Sequence, residues 1–333
     1  MLRLVIRRLL QLIPTLLGLS VLLFLWLNRL PGGPASAILG ERATDAQVAA
    51  INRALGLDQP VHVQYWRFLK RIFELDLGTS VQTGQPVWEE FTTKFPATVE
   101  LSVLAMIFAI VVGIPLGYLA ARRRGGWMDV GAVSGSLVGI CIPVFFLGLI
   151  LKEILAVNLH LFPSYGRMEV PDATSVTGLA VLDGLLTGEF DATWDALHHL
   201  ILPAITLASI PLAVIVRMTR ASVLEVVGED YVRTAESKGL EKRVVRGRHI
   251  LRNALLPVIT AVGLLTGSLL SGAVLTESVF SFNGIGLFIK TAIDARDYPV
   301  LVGFIMFIAV VYVLINLLVD LAYSVIDPRV RVH

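Results

Sequence analysis

The sequence predicts an all-α, polytopic membrane protein, and three observations carry that prediction. Of the 333 residues, 55% are hydrophobic and only 16% charged, where an ordinary soluble domain is about a quarter charged. Mean hydropathy is +0.75. Six apolar runs, at 9–30, 97–121, 130–151, 200–218, 255–276 and 300–326, reach the roughly 20 residues a helix needs to cross a bilayer. Runs of that length are helical, since a membrane barrel shows short alternating strands instead.

The loops between the runs alternate in charge. The N-terminus, 121–129, 217–253 and the tail after Asp327 hold seventeen of the 28 Lys and Arg. The positive-inside rule places these four segments, and so both termini, in the cytoplasm. Arg3, Arg7 and Arg8 before the first run and Ala35-Ser36-Ala37 after it resemble a secretory signal. The run is about twice as long as the apolar core of a signal peptide, so it reads as a retained span. The predicted organisation is a transmembrane helix over 1–30, a helical extracytoplasmic segment over 31–96, and a five-span core over 97–333 with the basic loop 217–253.

In the first outer segment, 44–55 reads as a helix, with Thr44 and Gln47 as a capping box and Gly56 as its stop. The stretch 64–73 reads as a second helix, with Tyr65, Phe68, Leu69 and Ile72 on one face. The second outer segment, 152–199, sets seven acidic residues against Lys152 and Arg167. Within it, 179–186 and 193–200 are expected as short helices on the membrane surface. These segments read as a cap over a path, as a docking surface for an external protein, or as both.

Small residues punctuate the spans: Gly113 and Gly117 around Pro115, then Gly131, Ser134, Gly135 and Gly139, then Gly263, Gly267 and Gly272. They allow close helix approach in lipid. Thr260, Ser268 and Ser271 are the candidates for lining a polar path. Asn316 and Asp320, one helical turn apart on the last span, point to an interhelical hydrogen bond or salt bridge, with a transport role as the alternative.

Several chemistries are excluded or disfavoured. The metalloprotease H-E-x-x-H, the Walker A loop and the G-x-S-x-G elbow are all absent. The one cysteine, Cys141, rules out an intrachain disulfide and reads as a small buried hydrophobe. His198 and His199 are helix neighbours that point apart, a poor metal site, and read as surface-loop residues. No charges cluster within the spans as a proton relay requires. A net charge of +2, with the basic residues in loops beside spans, does not indicate nucleic acid. What remains is a membrane path without a visible energy source, and no enzyme activity is expected.

The basic loop supplies the missing part. Within 228–257, Asp230 is expected to cap a short helix and Gly239 to end it in the left-handed conformation. Val232 and Tyr231 pair with Ala235 at helical spacing, a small apolar face on an otherwise charged helix. So short a helix is marginal alone, and the expectation is that a second protein holds it in a groove. That protein would be an ATPase made as another chain.

The run DYVRTAESKGLEKRVVRGRHILRNALLPV (230–258) resembles the cytoplasmic EAA-type coupling loop of ABC importer permeases, in the variant of dipeptide, oligopeptide and nickel systems. TESVFSFNGIGLF (276–288), ARDYP (295–299), NLLVDLAY (316–323) and DPRVR (327–331) resemble the same family's tail. LGLDQPVHVQYWRFL (55–69), LGTS (77–80) and PATVELS (96–102) resemble its outer segment, in the B-type member of the permease pair. The family's acidic-Ala-Ala pattern survives only in part, in Thr234-Ala235-Glu236-Ser237-Lys238-Gly239.

The resemblance implies the type I importer permease fold in a bacterial cytoplasmic membrane. It implies a second homologous permease, two ATPase subunits carrying ATP and Mg, and an extracytoplasmic substrate-binding protein, with no cofactor on this chain itself. It assigns ATPase coupling to Asp230, Tyr231, Val232, Arg233, Thr234, Ala235, Glu236, Ser237, Lys238, Gly239 and Leu240. Short peptides are the implied cargo, with a nickel chelate, glutathione or haem as alternatives. A gradient-driven transporter or channel, or a membrane scaffold, is the rival from another class.

Overall fold

The computed structural model describes residues 2–29, 44, 46–47, 50, 53, 59–170 and 173–326. Among them the fold is helical, and the one β feature is an isolated bridge between Thr79 and Pro86. The chain divides into two compact units, residues 1–96 with 284–317, and residues 97–283 with 318–333.

In the first unit, α1 (Leu2–Arg29) runs through Pro14 and starts before the predicted span. Helix α2 (Val61–Phe73) begins after Pro60, whose fixed φ suits a helix entry. Its predicted apolar face packs as expected. Phe68 and Ile72 join Leu23, Val302 and Met306, and the Tyr65 hydroxyl lies 2.9 Å from that of Ser20. The capping box at Thr44 forms: its N–H donates to Gln47 Oε1 at 2.9 Å, and the Gln47 N–H returns a bond to Thr44 Oγ1 at 3.4 Å. Most of the helix that it opens, and Gly56, lie outside the described residues. Phe91, at the start of α3 (Val87–Arg122), is fully buried against Phe288 and Phe307.

The second unit is built on α7 (Phe190–Val227), whose 38 residues make about 57 Å of helix. Its predicted span, 200–218, is only the middle of it. The stretch 193–200 is not a separate surface helix but the first turns of α7, with Ala192, Ala196 and Leu200 already buried. Around α7 lie the rest of α3, α4 (Trp127–Cys141), α5 (Val144–Leu151, continued as a π-helical turn over Lys152–Asn158) and α6 (Ala180–Thr187). Then follow α8 (Asp230–Ser237), α9 (Lys242–Val244), a π-helical turn (Val245–Leu251) and α10 (Arg252–Phe280). The remaining helices are α11 (Ile285–Asp294) and α12 (Tyr298–Ile326).

The third apolar run is not one rod, because α4 and α5 meet at 105°. Pro143 has no N–H to continue the ladder, and Ile142 before it is extended, at φ −79 and ψ 123. Among the described residues, five helices, which include α1, α3, α7 and α12, are long and apolar enough to cross a bilayer singly, and the α4–α5 pair passes the same test only as a bent unit. Glycine has two different uses here. A Cβ on Gly117 would lie 2.5 Å from the Val216 carbonyl oxygen, so α3 touches α7 backbone to backbone. Gly131 and Gly135 on α4 have nothing within 4 Å and serve no close approach within this chain.

Candidate functional site

Helix α8 leaves the end of α7 after Gly228, in a tight turn where the Gly228 N–H donates to Glu225 O at 3.0 Å. The expected cap is displaced by one residue. Glu229 occupies the cap position without a side-chain bond, and Asp230 is the first helical residue, its carboxylate exposed 3.8 Å from Arg233. A carboxylate in the first turn still complements the helix dipole. The far end forms as expected. Gly239 is left-handed at φ +72, its N–H donates to Glu236 O at 2.9 Å, and the Leu240 N–H donates to Ala235 O at 3.3 Å. This is the paired-bond closure that glycine permits.

The apolar face of α8 is used differently from the sequence expectation. Val232 and Ala235 are buried inside this chain, in a cluster with Ala121, Val223, Val245, Ile250 and Ala254. They need no second protein to cover them, because the chain folds back through α9 and the π-helical turn to do so. Tyr231 is half exposed, and its hydroxyl accepts from Asn253 Nδ2 at 3.1 Å. The face left to solvent is polar: Asp230, Arg233, Thr234, Glu236, Ser237 and Lys238, with Gly239 and Leu240 at its edge. Lys242, Arg243, Arg246, Arg248 and Arg252 are exposed beside it, which makes a broad cationic surface.

The path candidates lie on α10. The Thr260 and Ser268 hydroxyls are exposed and donate to the helix's own carbonyls, Leu256 O at 3.2 Å and Leu265 O at 2.7 Å. The side chains of Ser271 and Asp320 lie outside the described residues. Asn316 lines a niche with Gln11, Pro14, Thr15 and Val313. Cys141 is exposed at the α4–α5 break rather than buried. His199 is no surface-loop residue either. It is buried on α7, with Nδ1 2.9 Å from Asp195 O. His198 Nε2 lies 2.8 Å from Leu161 O.

The polar ties that sequence reasoning missed join residues far apart in the chain. Arg167 reaches Glu100 at 2.7 Å, and the same carboxylate accepts the Ala180 and Val181 N–H groups at the start of α6. Fully buried Glu277 accepts from Thr98 Oγ1 at 2.5 Å. Arg220 on α7 holds Asp129 on α4 through two bonds. A charged residue inside an apolar run is the one available signal for such ties, and it names no partner.

Helices long and apolar enough to cross a bilayer, with a short polar helix after the end of α7 and a cationic surface beside it, are the build of a multi-pass membrane protein. Residues 113–332 match the binding-protein-dependent transport system inner membrane component family, and residues 1–102 match that system's N-terminal membrane component. The chain belongs to this family. It is 47% identical to the dipeptide transport system permease protein DppB of Alkalihalophilus pseudofirmus over 99% of this chain and 100% of that one. Identity to DppB of Escherichia coli K12 is 46%, and to the glutathione transport system permease protein GsiC of Salmonella paratyphi A 38%, each over 99% of both chains. Among solved structures, a chain of the MetNI methionine ABC transporter in inward facing conformations matches at TM-score 0.48 and 16% identity, covering 69% of this chain and 93% of that one.

Proposed function

We propose that this chain is the B-type permease subunit of an ATP-driven importer for short peptides, and that α8 is where separate ATPase subunits act on it. The observation that carries the reading is the build of α8. Its root, Val232 and Ala235, is buried in its own chain, while its outer face is polar and free. A helix fixed at the root and bare at the tip transmits force as a rigid body. The full-length similarity to dipeptide permeases supports the cargo.

In this reading two ATPase subunits carry ATP and Mg, a second homologous permease completes the path, and a binding protein delivers the peptide on the far side. The chain lies in a bacterial cytoplasmic membrane with both termini in the cytoplasm. It binds no cofactor or nucleic acid and performs no catalysis. Residues 1–30, 31–96 and 97–333 act as anchor, extracytoplasmic segment and permease core. Asp230, Tyr231, Arg233, Thr234, Glu236, Ser237, Lys238 and Leu240 meet the ATPase, Gly239 shapes the exit, and Thr260, Ser268 and Ser271 are assigned to the path.

The test uses the assembled complex in vesicles. Arg233→Glu combined with Lys238→Glu turns both exposed cations of this face into anions without touching the buried root. Recovery of ATPase with the tagged permease should fall at least about tenfold, a loss expected from mispaired interface charge. Uptake of labelled dipeptide should fall with it, while the melting temperature of the permease stays constant. Unchanged recovery and uptake would remove α8 from the coupling role. Competition of the uptake by glutathione, which the 38% relative is named for, separates the two cargo assignments.

A further inference from the structure

Helix α4 lies along α7 but buries little of its own surface. Its 15 residues bury only Asp129 and Ser136, Gly131 and Gly135 meet nothing within 4 Å, and its far end breaks by 105° into α5. Its firmest hold is at its first turn. Arg220 Nε and Nη2 both donate to the Asp129 carboxylate, the latter at 2.8 Å, in the planar two-pronged geometry that fixes direction as well as distance. The Gly125 N–H adds a third bond, at 2.9 Å, so the carboxylate also shapes the turn between α3 and α4. Arg220 lies less than three helical turns before α8 on the same continuous α7.

A second neighbour of α7 at this end, α3, is held by a different means. Gly117 brings α3 against the Val216 carbonyl and the Thr219 side chain, a van der Waals contact that slides or separates without a defined direction. The α4 contact has a direction and a charge. A movement entering at α8 therefore has a rigid route along α7 and, among the described residues, one side-chain tie to α4.

We propose that the Arg220–Asp129 pair is the tie through which displacement of α8 moves α4 and, beyond the break, α5. Arg220 and Asp129 are positioning residues, which touch neither ATPase nor cargo. The proposal rests on the reading of α8 as the coupling helix. It predicts that the pair sets the yield of transport per ATP rather than assembly of the complex.

The experiment measures labelled-dipeptide uptake and ATP hydrolysis together, in vesicles holding the full transporter and saturating binding protein. Asp129→Asn and Arg220→Gln should each lower peptide transported per ATP about tenfold, within the span of ordinary coupling energies, with the ATPase still bound. Arg220→Lys, which keeps charge but loses the fork, should fall between. The exchanged pair Asp129→Arg with Arg220→Asp should regain at least half of the wild-type yield. Wild-type yield in the single variants would overturn the proposal. So would an exchanged pair that assembles and hydrolyses ATP yet transports no better than the singles. If a single variant fails to assemble, the exchanged pair and Arg220→Lys decide the matter alone. A wild-type complex that takes up no peptide defeats the cargo assignment instead, and is thereby told apart.

Discussion

The segments at the two ends of α7 are held by opposite means. Before α7, the loop residues 166–170 and 173–179 are held by carboxylates that collect backbone N–H groups. Asp183 accepts from Val176, Thr177 and Gly178 at 2.8 to 3.1 Å. Asp195 takes Glu169 and Val170, and Glu189 takes Thr174. After α7, helix α8 is held by a small apolar cluster, and its charges face solvent. The first arrangement freezes a loop that has no regular structure to satisfy its backbone. The second makes a compact knob that keeps its shape when pushed. An irregular segment must be tied atom by atom, whereas a moving part needs only a dry root.

The largest expected effect breaks that root. Ala235→Glu or Val232→Asp would bury a charge without a partner in the α8 cluster, at a cost of several kcal/mol, on the order of 3–5. Thermal unfolding in detergent should show either a lower melting point or early protease access to 228–253, before any ATPase is added. If Ala235→Glu is stable alone and loses only ATPase recovery, then the face in contact with the partner is the apolar one and the comparison is inverted.

That face also shows how far the sequence could be read. The helix, its length and its Gly239 closure were legible, because spacing and a glycine stop are local. Which way Val232 and Ala235 face was not. An apolar pair on a short helix looks the same whether its cover comes from another protein or from Val245 and Ile250, a dozen residues on. The spans were legible as apolar runs, but their ends were not, since α7 continues through charged and polar residues on both sides of 200–218. Pro143 broke its helix while Pro203 and Pro211 did not break α7. Proline removes a donor in each case, and packing decides whether the rod survives. Ties such as Glu100 with Arg167 belong to the tertiary fold and leave no local pattern.

The middle-sized effect tests the other segment. Burial opposes a charge on Asp183, but the Thr177 hydroxyl and the N–H groups of Thr177, Val176 and Gly178 outweigh it and hold the carboxyl below its usual value. Thr174 does the same for Glu189 through its hydroxyl and N–H. A carboxyl lowered by folding gives stability that is complete above its unfolded pKa and is lost as pH falls through the folded one. Protection of 173–178 from protease should therefore hold from neutral pH to near 4, the ordinary carboxylate range, and fail below it. Asp183→Asn should remove about 2 kcal/mol of local stability and the acid transition of this site together. An acid transition that survives in Asp183→Asn would assign it to Glu189. α8, with its apolar root, should show no such transition.

The smallest effect falls on the turn that ends α8. Gly239 is left-handed, but a Cβ there would meet nothing within 4 Å of its own chain. Gly239→Ala therefore carries only backbone strain, about 1 kcal/mol, and the melting point should fall by a few degrees at most. Gly239→Asn, which tolerates this conformation better, should lie closer to wild type. Both should leave Val232 and Ala235 in place, since the closing bonds come from the backbone. The informative outcome is a split between stability and transport. If Gly239→Ala keeps its melting point but loses dipeptide uptake in the assembled transporter, the empty space beside Gly239 is filled there by the partner. Equal, small losses in both would instead leave the turn as a stop signal, with contact made only by the polar residues before it.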